Sequence, residues 1–234
     1  MKIWNTFLEL IFPGRCPVCD KILPLGGKIC PSCVEKPYRI VSTYCRKCGK
    51  LIDDEREEYC RDCRETIHFY IQGRALYEYA SVRESLYRFK YKGRCEYANY
   101  YGMELAEHLG EIIRYWRPDV LVPVPLHRSR KRQRGYNQAE LLARELGRRM
   151  NIPVDTKLIK RIKKTVPQKQ LDRQMRQNNL KKAFKIDRND VKLSTIIIID
   201  DIYTTGSTVD AIARVLRETG MRNIYFIALA AGRE

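Results

Sequence analysis

The sequence predicts an α/β protein with a parallel β-sheet, preceded by a small cysteine-rich module. Residues 196–199 are four consecutive isoleucines, followed by an amphipathic helical pattern and a further apolar segment over 223–230. This order is typical of a βαβ unit in the middle of a parallel sheet. Eight of the nine cysteines fall in the first 66 residues. The two patterns predict a module over residues 1–66 and an α/β domain over residues 71–234.

The chain has 234 residues, and its hydrophobic fraction of 44% excludes wholesale disorder. No apolar run approaches the roughly 18 residues that a bilayer span needs. The first twelve residues lack the pattern of a secretory signal, so we expect a cytoplasmic protein. This N-terminal segment predicts a short amphipathic helix that packs on the body, with peripheral association at a membrane surface as the alternative.

The formal net charge of +17 is unevenly distributed. The stretch 128–185 holds 19 basic and 4 acidic residues, which gives it a net charge of +15. A solvated, salt-bridged surface would mix the two signs, so this stretch is expected to face an anion. Phosphates, pyrophosphate and a nucleic acid backbone are the candidates.

The cysteines form four Cys-x-x-Cys pairs separated by 10, 11 and 11 residues: Cys16/Cys19, Cys30/Cys33, Cys45/Cys48 and Cys60/Cys63. Two such pairs provide the four thiolates of a tetrahedral Zn²⁺ site. Disulfides would need an oxidising compartment. We therefore predict two structural zinc ions, with no open coordination position for catalysis. Sequential pairing is the simplest arrangement, and an interleaved pairing also fits the spacing.

Residues 200–208 combine two carboxylates with a hydroxyl-rich loop, directly after the isoleucine strand. The candidate binding residues are Asp200, Asp201, Thr204, Thr205, Gly206, Ser207 and Thr208. Because the loop leads into a helix N-terminus, its backbone N–H groups and hydroxyls favour a phosphate. Adjacent carboxylates are costly unless hydroxyl groups or a metal satisfy them, and a vicinal diol with Mg²⁺ would do so. The pattern predicts a site for a phosphorylated sugar.

The segment 196–208 resembles the signature of type I phosphoribosyltransferases, which is a hydrophobic strand, paired acids and then Thr-Thr-Gly-x-Thr. The resemblance implies that Asp200 and Asp201 contact the ribose hydroxyls of phosphoribosyl pyrophosphate (PRPP). It also implies that residues 204–208 hold the 5′-phosphate and that Mg²⁺ accompanies the substrate. A phosphoribosyltransferase activity, which is a pentosyl transfer, would follow from it.

Across nearly the whole chain, the sequence resembles the ComF (ComFC) family of competence proteins. The resemblance rests on the cysteine pairs, on residues 119–138 and on residues 161–184. This family is associated with the incoming single strand during natural transformation. The resemblance therefore implies a protein of DNA uptake, with PRPP, single-stranded DNA and a DNA-uptake helicase as partners.

The fold implied by these resemblances has one loop that contacts pyrophosphate and a second, long loop that closes over the site. By position, residues 125–137 correspond to the first loop and residues 163–179 to the second. Four alternating arginines, which would share one side of an extended loop, are candidates for pyrophosphate or nucleic-acid contact: Arg128, Arg130, Arg132 and Arg134. In the closing loop the candidates are Thr165, Gln168 and Arg176. Asn137 and Glu140 predict a capping box that opens a helix ending at Met150.

Two further readings of the sequence remain open. Seven tyrosines between residues 77 and 101 interleave with basic residues, which is typical of a single-strand groove or of a half-buried strand and helix beside the site. The alternative functions are a metabolic phosphoribosyltransferase acting on an unidentified base or amine, and a zinc-ribbon regulator that senses PRPP without catalysis. The sequence names no acceptor.

Overall fold

The computed structural model describes residues 13–162, 183–187 and 193–233. Its strands are β1 (Gln72–Glu78), β2 (Val120–Pro123), β3 (Ile159–Arg161), β4 (Phe184–Ile186), β5 (Thr195–Tyr203) and β6 (Asn223–Ala231). Its helices are α1 (Arg61–Glu65), α2 (Tyr79–Tyr91), α3 (Tyr97–Trp116), α4 (Arg128–Arg134), α5 (Gln138–Met150) and α6 (Ser207–Glu218). A 3₁₀ turn spans Pro31–Cys33.

The isoleucine run lies in β5, which is a central strand of the parallel sheet, as the sequence predicts. β5 pairs in parallel with β2 on one side and with β6 on the other, and β6 pairs in parallel with β1. The strand order in this four-stranded sheet is therefore β1-β6-β5-β2. Because all four strands run in one direction, their carboxyl ends meet at a single edge. The side chains of residues 196–199 are fully buried, which explains why a strand in this position is apolar on both faces.

Two apolar layers cover the sheet. On one face, Ile197 and Ile199 pack with buried side chains of α2, α3 and α5. On the other face, Ile196 and Ile198 pack with α6 and with β3 and β4, which pair with each other in antiparallel orientation. The expected α/β architecture with a parallel sheet is confirmed.

None of the helices in the described ranges is long and apolar enough to cross a bilayer. The predicted N-terminal amphipathic helix of residues 1–12 lies outside the described residues, as does its alternative contact with a membrane surface.

The cysteines form two clusters in sequential pairing: Cys16, Cys19, Cys30 and Cys33 in the first, and Cys45, Cys48, Cys60 and Cys63 in the second. The Sγ atoms of each cluster lie within 4.8 Å of one another. The Sγ atoms of Cys19 and Cys30 are 3.6 Å apart, as are those of Cys48 and Cys60. A tetrahedral ion with Zn–S bonds of about 2.3 Å would separate its sulfurs by about 3.8 Å. Each cluster therefore fits one structural Zn²⁺, and the interleaved pairing is excluded.

The two ribbons repeat the same local structure. The N–H of Cys16 donates to the carbonyl of Lys21 across a tight turn, and the N–H of Cys45 donates to the carbonyl of Lys50 in the same way. The turn position with positive φ is Asp20 in the first ribbon and Gly49 in the second. Only the second ribbon requires glycine there, because a Cβ at position 49 would lie 2.6 Å from the Cα of Arg74 in β1.

The ribbons differ in how they attach to the sheet. Cys45, Cys48 and Cys60 belong to the same apolar cluster as the inner residues of β5 and β6. The first ribbon has a separate small cluster of its own, from which Ile29 also packs against the region of α2 and α3, and it makes polar contacts with the same region. There, Asp20 accepts hydrogen bonds from Arg94 at 2.9 Å and from the Tyr97 hydroxyl at 2.6 Å. The second ribbon thus forms part of the main core, whereas the first is an appendage to it.

Matched serine variants of two fully buried cysteines should separate these roles. We expect two zinc ions per wild-type chain and about one in each of Cys33→Ser and Cys48→Ser, because each variant removes a ligand from one cluster. Cys48→Ser should lower the midpoint of thermal unfolding far more than Cys33→Ser, since only the second cluster belongs to the main core. Elemental analysis and thermal unfolding measure both effects. A folded wild-type protein without zinc would refute the ribbon assignment.

Candidate functional site

The two predicted acids lie at the carboxyl edge of the sheet. Asp200 and Asp201 follow the isoleucine run within β5, and both side chains are half-buried. The backbone N–H of Asp201 donates to Oδ1 of Asp200 at 2.8 Å. The ammonium of Lys90, from α2, donates to Oδ1 of Asp201 at 2.9 Å. The carboxylate of Asp201 is therefore paired with the ammonium of Lys90, which belongs to a different element.

Asp200 lies in an environment that disfavours its charge. Burial and then the neighbouring charge of Asp201 raise the pKa of Asp200 to about 7, against the opposing effects of Lys90 and Arg161. A carboxyl group with such a pKa changes its protonation near neutral pH. Strongly perturbed acids in an open edge of a sheet are typical of ligand-binding sites.

The hydroxyl-rich loop joins β5 to α6 at the same edge. Gly206 has a φ of 76° and precedes the first residue of α6. Glycine is favoured at position 206 for two reasons. Its φ is positive, and a Cβ there would lie 2.5 Å from the Tyr203 hydroxyl. The hydroxyl oxygens of Thr205 and Ser207 are 2.8 Å apart. The loop thus sits where the first N–H groups of a helix lack intrahelical partners.

The loop opens towards the surface and is not sealed by neighbouring side chains. Thr204 is exposed, Thr205 and Thr208 are half-buried, and Gly206 and Ser207 form the buried base. The structure therefore brings all seven predicted residues of the acid pair and the loop to one accessible edge.

The four alternating arginines do not lie in an extended loop, so the expectation that they share one side is wrong. They form α4, in which His127 caps the N-terminus by accepting the N–H of Ser129. At about 100° per residue, a helix places positions 128 and 132 on one face and positions 130 and 134 on another. Arg128 and Arg132 are accordingly exposed, whereas Arg130 and Arg134 are half-buried.

The half-buried arginine face of α4 contacts α2. A guanidinium nitrogen of Arg134 donates to the Tyr91 hydroxyl at 3.0 Å, and its central carbon lies 4.8 Å from the ring centroid. Burial and then the charge of Arg134 lower the pKa of Arg130. These contacts hold Arg134 against the helix that carries Lys90, and the charge of Arg130 acts on Arg161.

Arg161 is a further site cation that the sequence did not single out. It ends β3, and burial and then the charge of Arg130 lower its pKa to about 10, while Asp200 opposes this shift. In the sequence, Lys90 is likewise only one of the basic residues within the tyrosine-rich run. Both residues belong to elements that are far from β5 in sequence. Their proximity to the acids therefore depends on the three-dimensional arrangement of the strands and helices.

The segment between β2 and α5 is held in place from both ends. The predicted capping box is absent, because the side-chain amide of Asn137 donates to the carbonyl of Val124 at 3.0 Å. The carboxylate of Glu140 accepts from Arg144 at 2.9 Å instead. The Tyr136 hydroxyl donates to the carbonyl of Phe89 at 2.6 Å. The basic helix is thereby fixed against α2, and α5 still spans the predicted residues up to 150.

Most tyrosines of the run between 77 and 101 are structural. The side chains at 77, 97, 100 and 101 are buried against α2 and α3. Tyr87 and Tyr91 differ, because both are about half exposed and their rings lie 5.3 Å apart on one face of α2. The candidates for the closing loop, Thr165, Gln168 and Arg176, lie outside the described residues.

Comparisons with known proteins find two family models and a similar solved structure. A double zinc ribbon domain matches residues 7–64, and a phosphoribosyl transferase domain matches residues 98–234. A solved purine phosphoribosyltransferase from Pyrococcus horikoshii Ot3 is similar with a TM-score of 0.36 and 20% identity, over 56% of this chain and 73% of that one.

Three curated relatives show the family. Competence protein F of Haemophilus influenzae is 39% identical over 48% of this chain, and the match spans about half (50%) of that relative's length. Competence protein ComFC of Bacillus subtilis is 33% identical over 85% of this chain and 82% of its own length. DNA utilization protein YhgH of Escherichia coli is 32% identical over 90% of this chain and 94% of its own length. With its double zinc ribbon and its phosphoribosyltransferase domain, the chain belongs to the ComF family.

Proposed function

We propose that this protein acts in DNA uptake, binding PRPP with Mg²⁺ at the carboxyl edge of its sheet and contacting single-stranded DNA in the cytoplasm. The supporting observation is that an acid pair, a phosphate-type loop at a helix N-terminus and a group of cations meet at one open edge. The names of the relatives, competence protein and DNA utilization protein, support the DNA role. A DNA-uptake helicase is the proposed protein partner.

In this proposal, each part of PRPP has a matching group. The ribose diol donates to the carboxylates of Asp200 and Asp201, which satisfies the charges that burial disfavours. The loop 204–208 binds the 5′-phosphate through helix N–H groups and hydroxyls. Carboxylate oxygens are the hard donors that suit Mg²⁺, so the acid pair would hold the ion together with substrate oxygens. When bound, Mg²⁺ neutralises negative charge on the pyrophosphate.

The same groups suit transfer of the phosphoribosyl unit. That reaction breaks the bond between C1 and the pyrophosphate oxygen, so positive charge develops on the sugar and negative charge leaves with pyrophosphate. Arg130, Arg134 and Arg161 provide the cations that would stabilise the leaving group. Thr165, Gln168 and Arg176 are proposed to close the site and exclude water.

The exposed face of α4 supports contact with single-stranded DNA. Arg128 and Arg132 are exposed on the face of α4 opposite Arg130 and Arg134, where a phosphate backbone can reach them. Tyr87 and Tyr91 offer aromatic rings near the same helix, and Arg134 links the two surfaces. Bases stack on exposed aromatic side chains with little sequence preference. A nucleic acid would thus lie beside the PRPP site, not in it.

Asp201→Asn should weaken PRPP binding by about 10- to 100-fold, because it removes a charged hydrogen-bond acceptor at the ribose. Isothermal titration calorimetry with Mg²⁺ and PRPP measures the change. Asp53→Asn is the matched control, since Asp53 is paired on the surface with Arg233 at 2.8 Å. An unchanged affinity in Asp201→Asn would reject the site.

The two faces of α4 should have separable effects. The double variant Arg128→Ala/Arg132→Ala should weaken binding of single-stranded DNA and reduce the slope of log affinity against log salt by about 1.4. The variant Arg130→Ala/Arg134→Ala should mainly weaken PRPP binding. Fluorescence anisotropy over a salt series and calorimetry compare the pairs. DNA affinity that is independent of salt would instead favour a metabolic phosphoribosyltransferase.

Asp200→Asn should stabilise the ligand-free protein at pH 8 but not at pH 4. The pKa of Asp200 is raised to about 7 in the folded state, against about 4 in an unfolded chain. The folded state therefore binds more protons between these values, and stability falls as the pH rises through them. The variant lacks the titrating group and does not lose this stability. Its free energy of unfolding at pH 8 should exceed that of the wild type by no more than about 4 kcal/mol. Urea unfolding across this pH range measures it, and equal stabilities at pH 8 would contradict the pKa.

A further inference from the structure

The side chain of His68 connects the second cysteine cluster to the helix that follows the phosphate-type loop. The side chain is 1% exposed, and its Nδ1 lies 2.7 Å from Oδ2 of Asp210. Its Nε2 lies 3.5 Å from the Sγ of Cys63, one of the predicted zinc ligands. One buried ring therefore contacts a metal-binding thiol and a carboxylate of α6 at the same time.

Asp210 is fixed by two neighbouring residues. Its second carboxylate oxygen accepts the backbone N–H of Phe69 at 3.0 Å. Its own N–H donates to the carbonyl of Gly206 at 2.8 Å, within the first turn of α6. The position of Asp210 is thus tied directly to the glycine at the base of the loop. A shift of the carboxylate would shift the helix N-terminus that is proposed to bind phosphate.

The same short segment also supports the start of the loop. The hydroxyl of Tyr70 lies 2.7 Å from that of Tyr203, the last residue of β5. The Tyr203 hydroxyl in turn lies directly beneath Gly206. His68 stacks on Tyr70 with ring centroids 4.8 Å apart. Residues 68–70 therefore hold the loop at both of its ends.

The first ribbon has different neighbours. Its contacts with the α/β domain run from Asp20 and Val18 to Arg94, Tyr97 and Arg88 of the region around α2 and α3. These residues lie on the sheet face opposite α6, because α2 and α3 pack against the face that includes Ile197. Only the second cluster is thus in a position to affect the loop directly.

We propose that His68 is a positioning residue, which transmits the geometry of the second cysteine cluster through Asp210 to the phosphate loop. Residues that contact metal ligands orient those ligands, and their loss commonly costs 10- to 100-fold in affinity or activity. In this protein the metal ligand also orients the residue that contacts it. A rigidly held Cys63 fixes the imidazole ring of His68, and the ring in turn fixes the carboxylate of Asp210. The inference rests on the proposed PRPP site, and it assigns no contact between His68 and the substrate.

Two amide variants divide the roles of the imidazole ring. The amide nitrogen of Asn approximates Nδ1, so His68→Asn keeps a donor for Asp210 and loses the contact with Cys63. The amide nitrogen of Gln approximates Nε2, so His68→Gln keeps the contact with Cys63 and loses the one with Asp210. His108→Asn is the matched control, because His108 is on α3, 3.7 Å from Glu104.

Hydrogen exchange of amides 204–210, zinc content and PRPP calorimetry are compared in the full-length variants. We expect His68→Gln to retain two zinc ions, to exchange faster at 204–210 and to bind PRPP about 10-fold or more weakly. His68→Asn should exchange more slowly at these amides than His68→Gln, and His108→Asn should match the wild type. Asp210→Asn should reproduce the effect of His68→Gln, and the double variant should add little to it.

Wild-type exchange and affinity in a folded His68→Gln would overturn the inference. If neither His68 variant folds, a folded Asp210→Asn protein with wild-type exchange at 204–208 would overturn it equally. A wild-type chain that fails to bind PRPP would refute the proposed function instead. The exchange measurements would then still decide whether the ring positions the loop.

Discussion

The structure depends on one electrostatic constraint, which is that two adjacent carboxyl groups follow four fully buried isoleucines within one strand. β5 is covered on both faces along its isoleucine run, and the two acids come directly after Ile199, where its pairing with β2 stops. Even there, burial and mutual repulsion act on Asp200 and raise its pKa to about 7. Lys90 meets Asp201, and Arg161 lies close enough to act on Asp200. The surrounding elements are arranged to supply cations and hydroxyl groups to this point.

The parallel topology makes that arrangement possible. β2 ends beside β5, so the chain that leaves β2 delivers the basic helix α4 to the acid pair. β5 itself continues into the hydroxyl-rich loop and α6. The direction and order of the strands thus bring the acids, the cations and the loop together from separate segments of the chain. No single segment of the sequence contains the whole set of charges.

Much of this organisation could be predicted from the sequence, because it is encoded locally. Four apolar residues in a row define a buried strand, Thr-Thr-Gly-Ser-Thr defines the loop, and Cys-x-x-Cys spacing defines the metal ligands. The roles of Lys90 and Arg161 could not be predicted, since they depend on contacts between distant segments. The extended conformation expected for residues 128–134 is wrong. Arginine at every second position suggests an extended chain, whereas the segment is a helix capped by His127. The side chain of Asn137 was similarly expected to cap α5, but a tertiary contact with Val124 takes it.

The pairing of β1 with β6 sets the order in which the protein can fold as it leaves the ribosome. Both ribbons precede the sheet in the chain, and the ligands of each are close together in sequence, so they can take up zinc before the sheet forms. However, β1 completes the sheet only by pairing with β6, the last strand of the described chain, and the apolar side of the second ribbon rests on residues of β5 and β6. Such long-range contacts form slowly and leave apolar surface uncovered in the meantime. The second ribbon can therefore bind metal while its apolar side still lacks the strands that cover it in the folded protein.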